Sequence, residues 1–367
     1  MKKKRIVVKI GSSSLTNERG SIDEKKLTSH VRALARLKKA NHEVVLVSSG
    51  AVASGFARLG YASRPETVKG KQASAAVGQS LLIQSYIDKF NEYNIMPAQI
   101  LLTRDDFAEK ERYSNAFTTI TELLARGIIP IINENDTVVI DELTFGDNDM
   151  LSALVSGFIH ADYLIILTDI NGVYDKNPKL HSDAKKIDYL YQITEEMIIS
   201  TESSGSKMGT GGMKSKLVAA KRAISLGVPV FVGVGNGDDK LLNILHGHGD
   251  GTYITNESVP SINTNRQWIA LHSESAGKLY IDEGAEKAII ESGRSLLPVG
   301  IIKVEGQFQR GDVVEVYGTG KRLGKGEVSY SAEEVRNEII RYKQENESGN
   351  DLKSVEVIHR NRWIEIS

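Results

Sequence analysis

The stretch Arg5-Ile6-Val7-Val8-Lys9-Ile10-Gly11-Ser12-Ser13-Ser14 joins an apolar run to a loop of small residues. An Ile/Val-rich run of this length is typical of a strand that is buried on both faces. Lys9 lies inside the run, where an ammonium group without a partner is costly. It is either a strand-end lysine that reaches solvent or a residue placed to meet an anionic ligand.

More apolar runs follow, and helical patterns separate most of them. The predicted strands are 44–47, 95–102, 128–132, 163–167 and 228–234, and the helical patterns cover 23–39, 71–90, 113–126 and 213–226. This alternation predicts an α/β fold with a mostly parallel central sheet and helices on both faces.

The pattern changes after Thr255. Residues 256–275 contain Pro260 and many polar side chains, which predicts a linker. Short β-type runs separated by glycines then predict a small β-barrel-like module with one helix near 285–292. The predicted strands of this module are 278–281, 300–304, 313–317 and 327–330, and residues 355–367 add a further strand and a tail.

Composition excludes several classes of protein. The chain has 367 residues, 46 basic and 47 acidic side chains, a net charge of −1 and no cysteine. The balance of charge offers no broad surface for nucleic acid or an anionic membrane. The lack of cysteine excludes disulfides, thiolate metal sites and cysteine nucleophiles. With no apolar run of signal or membrane-spanning length, we expect a cytoplasmic protein with no membrane contact.

Small polar loops follow several predicted strands. They are Lys9 to Ser14, Ser48-Ser49-Gly50-Ala51 and Thr168-Asp169-Ile170-Asn171-Gly172, and a glycine-rich loop, Gly209-Thr210-Gly211-Gly212, leads into a predicted helix. Ligands of open α/β sheets bind beyond the carboxyl ends of the strands, and helix N-termini bind anions. For each loop taken alone, an ordinary strand-to-helix turn is the favoured interpretation, and only their combination favours a ligand site.

Lys216 lies in the first turn of the predicted helix, where a cation opposes the helix dipole. It is either a surface lysine, like Lys214 beside it, or a phosphate contact. The run Gly146-Asp147-Asn148-Asp149 is a second unusual helix start, because its three adjacent polar side chains need solvent or a ligand. A solvated helix cap is the alternative for this run.

These motifs occur in a fixed order that resembles the glutamate 5-kinase family of the amino acid kinase superfamily. The resemblance is carried by Val8 to Ser13, Ser48 to Val52, Asn133-Glu134-Asn135-Asp136, Gly146 to Asp149, Leu167 to Asp169 and Gly209 to Met213. Residues 277–285 and 308–312 are similar to a PUA domain. The resemblance implies a three-layer αβα sandwich over 1–255, a linker over 256–275, a PUA domain over 276–354 and a C-terminal strand and tail over 355–367.

The resemblance also implies an activity and a set of site residues. The activity is ATP-dependent phosphorylation of the L-glutamate side chain, the first step of proline synthesis, with Mg²⁺ accompanying the nucleotide. The implied catalytic residues are Lys9 and Lys216, with Asp149 as their anchor, and the implied glutamate site is Ser49, Asp136 and Asn148. The implied ATP site is Lys9, Gly11, Thr168, Asp169, Thr210, Gly211, Gly212, Met213, Lys214, Ser215 and Lys216. A homo-oligomer and feedback inhibition by proline are implied as well.

Three rival readings have less support. Another acid kinase of the superfamily, such as an acetylglutamate kinase or an aspartokinase, is disfavoured by the PUA-like module and by the combination of motifs. An RNA-binding role is disfavoured because residues 276–354 carry 12 basic and 14 acidic side chains. A catalytically silent amino-acid sensor would not need both Lys9 and Lys216.

Overall fold

The computed structural model describes residues 2–17, 21–138, 148–178, 180–201, 212–255, 269, 275–345 and 356–365. The chain divides into two compact units. The first comprises Met1–Asp106 and Ser114–Ser261, and the second comprises Phe107–Tyr113 and Ile262–Ser367. No sequence feature indicated that the segment Phe107–Tyr113 would group with the C-terminal residues.

The first unit is built on an eight-stranded sheet with the order β3-β4-β2-β1-β5-β9-β10-β8. Its strands are β1 (Arg5–Ile10), β2 (Glu43–Ser48), β3 (Pro97–Leu102), β4 (Ile129–Glu134), β5 (Tyr163–Leu167), β8 (Tyr189–Leu190), β9 (Val230–Val234) and β10 (Asp250–Ile254). The strands from β3 to β9 in this order are parallel, whereas β10 runs antiparallel to β9. Two short strands, β6 (Val173–Tyr174) and β7 (Lys186–Ile187), form a separate hairpin.

Helices connect the strands of the first unit and cover the sheet. They are α1 (Glu24–Lys39), α2 (Ala51–Gly55), α3 (Val68–Asn91), α4 (Asp105–Ala108), α5 (Lys110–Ala125), α6 (Asn148–Phe158), α7 (Glu195–Ser200), α8 (Met213–Ser225) and α9 (Lys240–Leu245). The end of α4 and the start of α5 belong to the segment Phe107–Tyr113, which groups with the second unit. Helix α1 packs with α3 and α9, and α6 packs with α8. The predicted three-layer αβα architecture with a mostly parallel sheet is confirmed.

Strand β1 lies at the centre of this sheet. It pairs with β2 on one side and β5 on the other, so Lys9 lies opposite Val47 and Ile166. Five of its six residues are buried, as the apolar run predicted. The sequence did not predict β8, which has only two residues, or β10, whose sequence Asp-Gly-Thr-Tyr-Ile contains no apolar run.

The second unit has a five-stranded sheet with the order β12-β11-β13-β14-β15. Its elements are β11 (Gly277–Ile281), α10 (Glu283–Ile290), β12 (Ile301–Gly306), β13 (Val313–Tyr317), β14 (Arg322–Val328), α11 (Ala332–Glu345) and β15 (Ile358–Glu365). The prediction of a single helix was wrong, because α11 is a second one. The predicted strand at 327–330 was also misplaced, because β14 begins at Arg322. Gly324 and Gly326 interrupt its apolar residues, so hydrophobic periodicity does not indicate a strand there.

No helix in the described part of the chain combines the length and the hydropathy needed to cross a membrane.

Candidate active site

Asp149 is the centre of a buried polar cluster at the start of α6. The residue is fully buried, and its two carboxylate oxygens face different lysines. Oδ1 forms an ion pair with Lys9 Nζ, and Oδ2 lies 3.1 Å from Lys216 Nζ. The hydroxyl of Ser215 also donates to Oδ2, at 2.9 Å. One carboxylate therefore holds two ammonium groups at fixed positions.

The lysines reach Asp149 from two different elements. Lys9 comes from the central strand β1 and is 2 % exposed, while Lys216 comes from the first turn of α8 and is 7 % exposed. The N-cap of α8 is Gly212, which has no side chain to cap the helix. The uncapped positive end of the helix dipole therefore lies close to the Lys216 ammonium. Asp149 offsets that repulsion. The alternatives of a solvent-reaching Lys9 and a surface Lys216 are therefore excluded.

Gly11 lies beside this cluster at a point where a side chain would be crowded. A Cβ atom built on Gly11 would lie 3.3 Å from Lys9 Nζ, tighter than an ordinary contact. The backbone after β1 thus passes close to the Lys9 ammonium, where a larger residue would press on it. Gly11 also begins a short 3-10 turn, Ser12–Ser14.

Asn148 organises a second polar group beside the first. Its Nδ2 donates to Ser49 Oγ at 2.9 Å, to the carbonyl of Ser48 at 3.2 Å and to Asn133 Oδ1 at 2.8 Å. Gly50 follows Ser49 with φ of 116°, a left-handed conformation that glycine adopts readily, and it starts α2. Ser49 and Asn148, predicted to bind the same ligand, are in direct contact.

Asp136 lies in the turn after β4. No hydrogen bond among the described residues joins it to Ser49 or Asn148. Burial raises its pKa to about 6, and the charge of Arg64 partly opposes that shift. A cation bound beside Asp136 would lower this pKa and favour the ionised carboxylate.

The predicted nucleotide residues follow β5 and precede α8. Thr168 is buried, its amide donates to the carbonyl of Gly233 at 3.0 Å, and its hydroxyl donates to Asp169 Oδ1 at 3.1 Å. Asp169 and Lys214 are exposed, and Met213 is buried. Thr210 and Gly211, like Gly146 and Asp147, lie outside the described residues.

The strand order explains how these groups are arranged. At the carboxyl edge of the parallel sheet the strands run β4, β2, β1, β5, β9. Asp136 follows β4 and Ser49 follows β2, whereas Thr168 and Asp169 follow β5. Lys9 on β1 therefore lies between the predicted acceptor residues and the predicted nucleotide residues.

Sequence reasoning missed two members of the polar group, Asn133 and Gln79. Asn133 Nδ2 donates to Gln79 Oε1 at 2.8 Å. From the sequence, Asn133 stands out only as the first residue of the motif Asn133 to Asp136, although it is a buried residue of β4. Gln79 carries no local signal, because a single glutamine in a long helix is ordinary in composition.

The amino acid kinase family model matches residues 4–233, and the PUA domain model matches residues 277–344. Over 366 residues the chain is 62% identical to "Glutamate 5-kinase 1" of Bacillus licheniformis and 59% identical to "Glutamate 5-kinase 1" of Bacillus subtilis. Both alignments cover 100% of this chain and 100% of the relative.

A solved structure supports the fold alone. Carbamate kinase from Giardia lamblia bound to AMP-PNP aligns with 70% of this chain and 99% of its own, with a TM-score of 0.52 and 17% sequence identity.

Proposed function

This chain belongs to the glutamate 5-kinases of the amino acid kinase family, and we propose that its Asp149 cluster catalyses transfer of the terminal phosphoryl group of ATP to the side-chain carboxylate of L-glutamate. A carboxylate oxygen attacks the terminal phosphorus, and the bond from that phosphorus to the bridging oxygen breaks. The products are ADP and an acyl phosphate, glutamyl 5-phosphate. This is the first step of proline synthesis.

The observation that carries the proposal is the anchoring of Lys9 and Lys216 by one carboxylate. Phosphoryl transfer depends on cations held where negative charge collects, in a site that needs no rearrangement during the reaction. The two ammonium groups come from β1 and from the start of α8, so they can contact the phosphoryl group from two sides. In this role Asp149 is a positioning residue.

No general base is required by this chemistry. A glutamate side chain has a reference pKa of about 4.3, so the nucleophile is already ionised at neutral pH. Asp149 is also poorly suited to take a proton, because both of its oxygens face cationic or hydroxyl donors. The catalytic contribution is therefore positioning and charge neutralisation.

The acceptor would bind on the β4 and β2 side of Lys9. Asp136 supplies an anionic partner for the α-ammonium group of glutamate, and Ser49 and Asn148 supply hydrogen-bonding groups. The raised pKa of Asp136 suits this role, because a bound ammonium favours the ionised carboxylate.

The nucleotide would bind on the β5 side. We expect backbone amides near Gly11 and at the start of α8, from Gly212 to Lys216, to contact its phosphates, and Thr168 and Asp169 to contact the rest of the nucleotide. Among the described residues, no group of three or more His, Asp or Glu side chains could hold a metal ion. Magnesium is commonly held through nucleotide phosphates and water, so it fits as a companion of ATP and would neutralise phosphate charge.

Proline shares the α-carboxylate and the amine of glutamate but lacks the side-chain carboxylate. We expect it to compete for Ser49, Asp136 and Asn148. Inhibition should therefore weaken as the glutamate concentration rises.

The proposed activity is tested by trapping the acyl phosphate with hydroxylamine. We expect hydroxamate with ATP, magnesium and L-glutamate. N-Acetylglutamate should give little, because Asp136 pairs with a free α-ammonium group, and aspartate should give little, because its side chain is one methylene shorter and holds the carboxylate farther from the phosphoryl group. A preference for N-acetylglutamate would overturn the assignment.

A further inference from the structure

Three side-chain amides on the acceptor side of the site form a continuous chain of hydrogen bonds, which we call the relay. Asn148 Nδ2 donates to Asn133 Oδ1 at 2.8 Å, and Asn133 Nδ2 donates to Gln79 Oε1 at 2.8 Å. Gln79 belongs to α3, Asn133 to β4 and Asn148 to α6. The relay thus ties three elements together at one edge of the sheet.

Backbone groups fix the direction of this relay. The amide N–H of Glu134 can only donate, and it donates to Asn133 Oδ1 at 2.9 Å. The carbonyl of Ser48 can only accept, and it accepts from Asn148 Nδ2 at 3.2 Å. Neither asparagine can be turned over without placing two donors or two acceptors against each other. The orientation of both amides therefore follows from the fold.

This direction leaves the oxygen of Asn148 as the group that meets a ligand. Asn148 is 9 % exposed, and its Oδ1 is buried with no hydrogen-bond partner among the described residues. An unsatisfied buried acceptor costs about 1–3 kcal/mol. A ligand that offers an N–H or O–H donor removes that cost, whereas a ligand that offers only oxygen acceptors does not.

A close contact between glycines brings Gln79 to the relay. A Cβ built on Gly78 would lie 1.8 Å from the carbonyl oxygen of Ala51, and a Cβ built on Gly55 would lie 2.0 Å from that of Ser74. Helices α2 and α3 therefore touch backbone to backbone at this point. Gln79, the next residue after Gly78, is held beside the start of α2 and the end of β4.

We propose that Gln79 is a positioning residue for acceptor specificity. Its oxygen holds the amide of Asn133, which in turn holds the amide of Asn148 with its oxygen facing the α-ammonium group of the acceptor. Gln79 itself does not touch the substrate. The inference rests on the proposed function, because it assigns the ligand of Asn148 to the amino group of glutamate.

The test compares Gln79→Met, which keeps length but removes the acceptor, with Gln79→Glu, which keeps an acceptor oxygen. Gln84→Met is the matched control, since Gln84 lies in the same helix, is exposed and bonds only to Asp88 among the described residues. The readouts are glutamate affinity by calorimetry, KM and kcat in the hydroxamate assay, and inhibition by glutarate, a dicarboxylate without an amine.

We expect Gln79→Met to weaken glutamate binding and raise its KM by about tenfold with little change in kcat. Glutarate inhibition should stay unchanged, because glutarate offers no donor to Asn148. Gln79→Glu and Gln84→Met should resemble the wild type. If Gln79→Met loses its cooperative thermal transition, Gln79→Ala takes its place in the same comparison.

Two outcomes would overturn the proposal. One is unchanged glutamate affinity in a folded Gln79→Met protein. The other is an equal loss of glutamate and glutarate affinity, which indicates a merely structural role. Calorimetry separates these outcomes from failure of the proposed function, because glutamate affinity is measured there without turnover.

Discussion

Two buried carboxylates in this chain each bind two cationic side chains, but the cations differ in their access to water. Asp149 binds Lys9 and Lys216, whose side chains are only 2% and 8% exposed. Glu327 is 2% exposed and lies 2.6 Å from Lys110 Nζ and 3.2 Å from an Arg362 nitrogen. The Lys110 and Arg362 side chains are 46% and 45% exposed.

The difference separates the proposed catalytic cluster from an ion cluster whose cations stay in contact with water. Cations that keep contact with water retain most of their solvation, so Lys110 and Arg362 need no bound anion to be tolerated. Removing two ammonium groups from water beside one carboxylate is costly, and a buried ion cluster is weak evidence for stability. A role in binding an anionic ligand therefore best explains why the charges of the Asp149 cluster are buried.

The largest effect should come from removing one of the buried ammonium groups. We expect Lys9→Ala and Lys216→Ala each to lower kcat by about 10²–10³, the usual loss for one preorganised charge donor. Lys110→Ala is the matched control, because it also removes a lysine from a buried carboxylate but should leave kcat within about twofold. Hydroxamate formation under saturating substrates gives the comparison. Full activity in Lys9→Ala would refute the mechanism.

Asp149→Asn should lower kcat to a similar extent while keeping the shape of the site. The neutral amide no longer anchors both ammonium groups, which then repel each other. Activity should not recover at higher pH or with added formate, because the nucleophile arrives ionised. Recovery by either route would show that Asp149 acts as a general base. The pH–rate profile of the variant distinguishes the two roles.

Asp136→Asn should mainly weaken the binding of glutamate. The substrate ammonium is held alike in the ground and transition states, so KM for glutamate should rise with little change in kcat. The amide can still accept a hydrogen bond, so losing the charge should cost no more than a charged hydrogen bond, about 1.5–3 kcal/mol, which corresponds to a rise in KM of up to roughly a hundredfold. A fall in kcat at unchanged KM would place Asp136 at the reacting carboxylate instead.

The pH dependence of kcat/KM gives a second check on Asp136. The wild-type value should fall as pH drops through about 6, because protonation removes the charge that pairs with the ammonium. The Asp136→Asn profile should be flat in that range. The sign for stability is opposite: a carboxyl with a raised pKa favours folding at low pH and loses that contribution as pH rises through about 6.

The sequence predicted the catalytic unit well where its signals were local. Strands β1 and β5 have the predicted bounds, because continuous Ile/Val/Leu runs mark strands that are buried on both faces. Lys9 and Lys216 were also identified from the local sequence. One lies inside an apolar strand and the other at a helix N-terminus, and fold stability alone does not explain a cation in either position.

Long-range contacts could not be predicted in this way. Nothing near Gln79 indicates its bond to Asn133, 54 residues away, because that contact depends on the glycine-mediated packing of α3 on α2. The Lys110–Glu327 ion pair likewise joins residues that are distant in sequence. Side chains whose partners come from other elements have no periodic or local signature.

The smallest effect on activity should come from Glu327→Gln. Loss of the Glu327 charge should reduce the free energy of unfolding of the second unit by about 1 kcal/mol, because the Lys110 and Arg362 side chains then return to water. Glutamate turnover should stay within about twofold of the wild type. Glu283→Gln is the control, since Glu283 pairs with Lys287 on an exposed surface and should not shift the thermal midpoint. If a folded Glu327→Gln protein instead lost tenfold or more in kcat, cation exposure would no longer distinguish a structural carboxylate from a catalytic one.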